Sequence, residues 1–342
     1  MSKPDTIKPI CTVIIPTYDR PVELQRTLQS LCTQKLHPSQ YEVIVVEDGS
    51  SENLVNLQAM DYPFSITFLE QDKQGPTQAR NLGAQNSRGE VLIFLDDDIS
   101  ISPYVLSVLK DECKELNTIR PTILMGTLVL PSEIIEKSSF ARALNQPAPT
   151  SNQEVHFTFC KTGLLAVQRQ DFFSIGSFQD PTGGWPNWDD VDFGYRANQI
   201  GYCFVQSARA VGEHWDYASI NLEAAGNRIY RASQSAARLF QVYPELRQEI
   251  PMFRDMLPLN PRQDGLLLTM RKIARKLIST PWLSIMMKQA VQPLEYLGVP
   301  RKLMRAFYTW ILGGMIYQGL KSGQAQYGSI LVASSVQNEQ MN

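Results

Sequence analysis

The sequence predicts an α/β fold: a mainly parallel sheet flanked by helices, followed by a helical C-terminal region. Three observations carry this. Strand-like apolar runs alternate with helix-like periodicities through the first hundred residues, and that alternation builds parallel sheets with helices on both faces. Three of the strands end in a polar cluster, Thr17-Tyr18-Asp19, Glu47-Asp48 or Asp96-Asp97-Asp98, at the rim where open α/β sheets gather ligands. From Leu222 onward the pattern is helical, interrupted by prolines from Pro244 to Pro300.

The elements follow in order. Thr12-Val13-Ile14-Ile15 is a β-branched run ended by Pro16, read as a buried strand. Val22, Leu24, Leu28 and Leu31 recur at helical spacing over Pro21 to Leu31. Tyr41 to Val46 is a second strand, closed by a turn at Glu47-Asp48-Gly49-Ser50. A helix is expected over Ser50 to Met60, with Ser50 as its cap. Ser65 to Leu69 is a third strand, Pro76 to Asn86 a helix with proline in its first turn, and Val91 to Leu95 a fourth strand running into the aspartates. Beyond Pro103 we expect a helix over Tyr104 to Leu116, strands over Leu124 to Leu130 and Thr158 to Gln168, a loop at Gly183-Gly184-Trp185-Pro186, and a helix from Asp189 to Gly201. A short strand, Tyr202 to Val205, and its loop precede His214. Residues 1–220 are read as one domain and 221–342 as a helical region.

Composition narrows the function classes. The 342 residues are 43% apolar, enough for a packed core. A formal net charge of −2 exerts no overall pull on nucleic acid, and no such partner is expected. The charge is uneven: Arg262 to Arg305 holds nine Lys/Arg against two acids, a net +7, and the remaining chain carries −9. A basic tail of that kind suits an anionic surface. Over Leu266 to Ile278 a basic stripe opposes an apolar one. This fits a helix lying peripherally on an anionic membrane, or one packed on the protein with its basic face solvated. Five scattered cysteines without a CxxC pair argue against disulfides or structural zinc and for a reducing, cytoplasmic setting. The first ten residues contain no long apolar run, so no secretory signal is expected. The apolar stretch Phe307 to Leu320 would span only about 21 Å as a helix, against a bilayer core of about 30 Å.

The chemistry-bearing residues start with the triplet. In extended chain Asp96 and Asp98 point one way and Asp97 the other, so Asp96 and Asp98 form a hard-oxygen site for Mg²⁺ or Mn²⁺. The plainer reading is a solvated acidic turn. Glu47 and Asp48 at the same rim can accept hydrogen bonds from a nucleobase or ribose, or simply form another turn. Arg80 can meet a base or phosphate, or be an ordinary helical arginine. In Trp188-Asp189-Asp190-Val191-Asp192-Phe193-Gly194-Tyr195-Arg196, acids in a helix's first turn are favoured by the dipole, and Asp192 pairs with Arg196 four residues on. Asp190 lies on another side of that helix and is a candidate general base. His214 is a candidate third metal ligand, or a structural histidine. His37 and His156 are read as surface residues.

Taken together these segments resemble a known family. The succession Pro16-Thr17-Tyr18, Glu47-Asp48-Gly49-Ser50, Ala79-Arg80-Asn81-Leu82-Gly83 and Leu95-Asp96-Asp97-Asp98 is similar to glycosyltransferase family 2 sequences of GT-A fold. So are Gly163, Ile175-Gly176-Ser177-Phe178 and the Trp188 to Arg196 segment, which resembles chondroitin-polymerase-type and galactosaminyltransferase-type domains. The likeness runs from about Cys11 to Trp215. It implies a nucleotide-diphosphate sugar donor, often a UDP-sugar, and a glycan or lipid-linked acceptor. It also implies a nucleoside site at Thr17, Tyr18, Asp48 and Arg80, and a DxD motif at Asp96 and Asp98 touching ribose and metal. Asp190 would be the catalytic base, and His214 stands where some members bind metal. Pro16, Glu47, Asp97, Gly163, Trp188 and Asp189 complete the implied substrate set. Asp189 stands where the family usually has Glu, and Glu47 where it often has Asp. Two rivals remain at this stage. A nucleotidyltransferase would want a Gly-rich loop after the first strand, where Tyr18-Asp19-Arg20-Pro21 has no glycine. A non-catalytic sugar-nucleotide-binding protein would not need Asp190.

Overall fold

A computed structural model describes residues 8–50, 54–184, 188–216, 220–260 and 264–328. The chain divides into two compact units, one of residues 1–180 and 189–220, the other of residues 181–188 and 221–342.

The first unit is built on one sheet. Its strands are β1 (Cys11–Thr17), β2 (Tyr41–Asp48), β3 (Ser65–Gln71), β4 (Val91–Leu95), β5 (Ile99–Ile101), β6 (Thr122–Val129), β7 (Gln153–Glu154), β8 (Leu164–Gln168) and β9 (Cys203–His214). They lie in the order β3-β2-β1-β4-β8-β6-β9-β5, with β7 paired to β9. The half β3-β2-β1-β4 is parallel throughout. Beyond β4 antiparallel pairs enter, at β4–β8, β6–β8 and β5–β9. From β1 the chain steps outward through β2 to β3 and then returns to set β4 on the other side of β1, and a crevice opens at such a switch point.

Both faces of the parallel half are covered, which is why β1 and β4 read as unbroken apolar runs. On one face Val13, Ile15, Val43 and Val45 pack with Leu24, Leu28 and Leu31 of α1 (Pro21–Cys32). On the other, Ile44 and Val46 pack against Ala79 of α2 (Pro76–Gln85). Gly83 sets how near α2 comes: a Cβ there would lie 2.4 Å from Ile14 Cγ2. That close approach brings Arg80, one turn earlier, to the carboxyl end of the strands. Two further helices, α3 (Val105–Ile119) and α4 (Asp189–Gln199), complete the layers.

Several expected elements differ. Glu47 and Asp48 do not form a turn but end β2. Of the helix expected over Ser50 to Met60, residues 51–53 lie outside the described residues and only Val55–Gln58 is helical. Ser50 Oγ accepts the Asp19 N–H. The strand expected over Thr158 to Gln168 is a 3₁₀ turn at Phe157–Phe159 followed by β8. The strand expected to stop at Val205 continues to His214. Its pairing with β6 jumps from Met125↔Gln206 to Thr127↔Val211. The extra residues fold into a bulge in which Ser207 Oγ accepts the N–H groups of Arg209 and Ala210.

The second unit is helical, with α5 (Leu222–Val242), α6 (Leu266–Ile278), α7 (Pro281–Tyr296) and α8 (Arg301–Tyr327). Helices α5 and α8 touch along glycines: a Cβ at Gly319 would lie 2.3 Å from Tyr230 O, and one at Gly323 2.1 Å from Gln234 O. The Phe307 to Leu320 stretch lies in α8, where Ile311, Met315, Ile316 and Leu320 are buried. Among the described residues no helix is long and apolar enough to cross a membrane. Helix α6 reverses the expected arrangement of a solvated basic face. Lys272 is buried on Asp264 (2.7 Å), Arg271 pairs with Asp255 at 2.8 Å and Arg275 approaches the same carboxylate at 3.5 Å. Leu266, Leu267, Met270, Ile273 and Leu277 face outward.

Candidate active site

At the switch point the ends of β1 and β4 are adjacent, and the aspartate triplet turns there rather than continuing extended. Each carboxylate finds its own partners, Asp96 on Arg80 and Asp98 on Arg20 and His214. Asp97 is buried. It accepts the Thr17 hydroxyl at 2.8 Å and Arg20 at 3.3 Å, while its carbonyl accepts the Thr27 hydroxyl at 2.7 Å. Burial pushes its carboxyl up to about 7, against the pull of Arg20 and Thr17. Asp97 thus fastens the turn to β1 and α1.

Asp98 faces Arg20 Nη1 at 3.0 Å and His214 Nε2 at 3.3 Å. Burial alone would raise its pKa, but the His214 hydrogen bond and charge, then Arg20, hold it below the ordinary value. His214 moves up for the reciprocal reason: burial pulls it down, and Asp98 outweighs burial. The antiparallel β5–β9 pairing delivers the histidine by setting Ile99 opposite His214. The Trp215 N–H donates to the Asp98 carbonyl at 2.9 Å, its indole N–H donates to Ser100 at 2.8 Å, and Arg26 stacks 3.9 Å from its ring.

Asp96 points toward α2. Its N–H donates to the Gly163 carbonyl at 3.0 Å, and a Cβ on Gly163 would come within 3.1 Å of its Oδ2. Arg80 donates to Asp96 at 2.7 Å through one arm of its guanidinium and to Asp189 at 3.2 Å through the other. Asp189 is buried, accepts Thr77 at 2.9 Å, and takes the Asp190 N–H on its second oxygen. Burial raises its pKa, opposed by Arg80 and Thr77. Asp190, half-buried at the start of α4, is raised to about 7 by burial and by the neighbouring Asp189, with Arg80 and Lys161 pulling the other way. Asp192 and Arg196 form the expected pair, 2.6 Å apart, and Arg196 also grips the Ile175 and Ser177 carbonyls.

The remaining sequence-predicted residues divide. Asp48 is committed to its own chain: Gln71 Nε2 and the N–H groups of Gln74 and Gly75 occupy its carboxylate at 2.7, 2.7 and 2.9 Å. Glu47 is raised by burial, with Ser50 pulling it down. Tyr18 is exposed, with the Lys73 ammonium 3.7 Å above its ring. Pro16 is buried in β1, next to the buried Thr17 that ends the strand. Trp188 belongs to the second unit, where its indole N–H donates to the Ala232 carbonyl and Ser235 Oγ, both at 3.1 Å. Of the loop expected at Gly183-Gly184-Trp185-Pro186, Trp185 and Pro186 lie outside the described residues.

Arg20, Thr27, Lys73 and Thr77 were not singled out by the sequence. Thr77 had a readable signal: three residues before Arg80 on α2, it shares that residue's face. Arg20 had one too, at the junction between β1 and α1.

Two of the three expected metal ligands meet. Adjacent ligands of an octahedral Mg²⁺ or Mn²⁺ ion sit about 3 Å apart, and Asp98 Oδ1 and His214 Nε2 are 3.3 Å apart. The donor chemistry fits. Asp96 is drawn off by Arg80, and among the described residues no group of three His, Cys, Asp or Glu side chains is disposed to hold an ion.

Residues 12–124 match the family model described as glycosyl transferase family 2. An uncharacterized glycosyltransferase of Haemophilus influenzae is 38% identical over 171 residues, 48% of this chain and 55% of its own length. A validoxylamine A glucosyltransferase of Streptomyces hygroscopicus subsp. limoneus is 26% identical over 275 residues, 71% of this chain and 58% of its own. The chain thus spans little more than half the length of these curated relatives. Among solved structures, a mannosyltransferase of Pyrobaculum calidifontis in complex with GDP-Man and Mn²⁺ superposes with a TM-score of 0.56 at 16% identity, over 92% of this chain and 88% of that one. That likeness shows a shared GT-A fold.

Proposed function

We propose, from a chain whose residues 12–124 match the glycosyl transferase family 2 model, that the protein is an inverting glycosyltransferase. It would move a sugar from a nucleotide diphosphate, a UDP-sugar in this reading, to a hydroxyl on a glycan or lipid-linked acceptor in polysaccharide or glycolipid synthesis. It would work in the cytoplasm, on acceptors presented at the inner face of the plasma membrane. One observation carries the reading. Asp190, with a pKa raised toward neutrality, adjoins Asp189, and Asp189 shares Arg80 with Asp96 of the acidic turn. A base for the acceptor is thereby tied to the carboxylates proposed for the donor.

Thr17 and the exposed Tyr18 with Lys73 form a rim suited to a nucleoside, the ring for stacking and the ammonium for charge. Asp98 and His214 would hold a Mn²⁺ or Mg²⁺ ion. Such an ion supplies Lewis-acid stabilisation of the leaving diphosphate. Arg20, half-exposed beside Asp98, adds positive charge at the same place. Asp190 accepts the proton of the acceptor hydroxyl as that oxygen attacks the anomeric carbon from the face opposite the diphosphate. Arg80 and Thr77 keep Asp189 in place and so orient the first turn of α4. Asp48 shapes the Gln74-Gly75 entry to α2 through three hydrogen bonds, two on Oδ1 and one on Oδ2, and keeps acceptor capacity on Oδ2 for a nucleobase or ribose donor.

The test is a screen of nucleotide sugars for hydrolysis or transfer with Mn²⁺ or Mg²⁺, with and without EDTA. The reading expects one donor class to turn over and EDTA to stop it. Absence of turnover with every donor, in a protein that still binds nucleotide sugars, would favour a non-catalytic binding protein.

A further inference from the structure

The outward face of α6 and α7 contributes none of the residues described in the candidate active site. Residues 266–297 make up less than a tenth of the chain, yet they carry ten of the 22 large apolar side chains exposed among the described residues. On α6 these are Leu266, Leu267, Met270, Ile273 and Leu277. Leu266 and Leu267 are 79% and 73% exposed. On α7 they include Trp282, Ile285 and Met286.

The arrangement is held from inside. Lys272 and Arg275 turn inward, Lys272 to Asp264 and the Pro258 carbonyl, Arg275 to Asp255 and the Thr309 carbonyl. Gly313 makes room for that guanidinium, since a Cβ there would fall 1.2 Å from Arg275 Nη1. At about 100° per residue, the opposite side of α6 carries Leu266, Met270, Ile273 and Leu277, with Arg271 and Lys276 along its edges. Lys276, Lys288, Lys302 and Arg305 are exposed. An apolar stripe edged by cations, with a tryptophan at the α6–α7 corner, is the pattern of a helix lying in a membrane interface.

We propose that α6 and α7 seat on an anionic lipid bilayer: the apolar stripe enters the headgroup–acyl boundary and Lys276 and Lys288 meet acidic headgroups. Charge complementarity selects this occupant over a second copy of the chain. A two-fold contact through this face would set its cations against their own copies, whereas an acidic leaflet attracts them. Such a seat would hold the protein where lipid-linked acceptors are found.

Sedimentation of the full chain with phosphatidylcholine–phosphatidylglycerol vesicles, and with phosphatidylcholine alone, tests this without any turnover. The wild type is expected to partition onto the anionic vesicles and far less onto the neutral ones. Leu267→Glu with Ile273→Glu, both exposed and so harmless to folding, is expected to lower partitioning by at least about tenfold. Lys276→Glu with Lys288→Glu is expected to abolish the preference for anionic lipid. Unchanged binding by the Leu267→Glu/Ile273→Glu protein, or no binding by the wild type, would overturn the proposal. So would a lipid-free dimer, seen by analytical ultracentrifugation, that this variant dissolves.

Discussion

Arg80 and Lys272 are both buried cations held by carboxylates, and the two units use them differently. In the first unit Arg80 joins Asp96 at the end of β4 to Asp189 at the start of α4. It holds two acidic segments together at the rim of the sheet. In the second unit Lys272 on Asp264, with Arg271 and Arg275 on Asp255, turns α6 about its axis. The pairing decides which face of that helix is left outside. Comparable ion pairs thus fix a site in one place and an orientation in the other. The residues worth examining are those the pairing leaves over: Asp190 in the first case, the leucines of α6 in the second.

The contrast is testable, and the largest effect is expected at Asp190. Asp190→Asn should lower kcat by about 10² to 10⁴-fold and leave donor binding within a few-fold, read by steady-state kinetics and nucleotide titration. The wild-type rate should fall as pH drops through about 7, where a carboxyl raised by burial and by Asp189 takes up its proton and can no longer accept one. In Asp190→Asn that acid limb should vanish from the residual rate. Arg80→Met leaves Asp189 buried without its cation and should cost about 3–5 kcal/mol of stability, measured by denaturant unfolding, with turnover reduced as well. Lys272→Met should leave turnover intact and alter vesicle binding instead. If both variants changed turnover alike, the contrast between the two pairings would collapse. His214→Ala should weaken Mn²⁺ binding by at least about tenfold, followed by electron paramagnetic resonance. The smallest effect concerns Asp97. Its folded carboxyl keeps its proton up to about pH 7, whereas an unfolded one releases it near about 3.9. This group therefore favours the fold at low pH and loses that contribution as pH rises toward 7. Asp97→Asn should flatten that pH slope of the melting temperature.

How much could be read in advance depended on whether a residue's partner was near it in the chain. β1, β2 and β4 were legible because strands covered on both faces are simply apolar. Asp192 and Arg196 were legible because four residues along a helix is a contact. β9 was not, since its middle, Gln206 to Arg209, is polar and bulged rather than alternating. The set of Asp48 was hidden because its donors, Gln71, Gln74 and Gly75, follow it by more than twenty residues. The turn of the triplet was hidden for the same reason: Thr17 and Thr27 grip Asp97 from 80 and 70 residues away. The periodicity of α6 showed two faces but not which was covered, because Asp255 and Asp264 decide that.

The central claim is that Asp190 serves an acceptor attacking opposite the diphosphate. The most direct measurement is the anomeric configuration of the first-formed product by proton NMR, using the donor found active. A configuration opposite to that of the donor is expected. A product that retains the donor's configuration would contradict it.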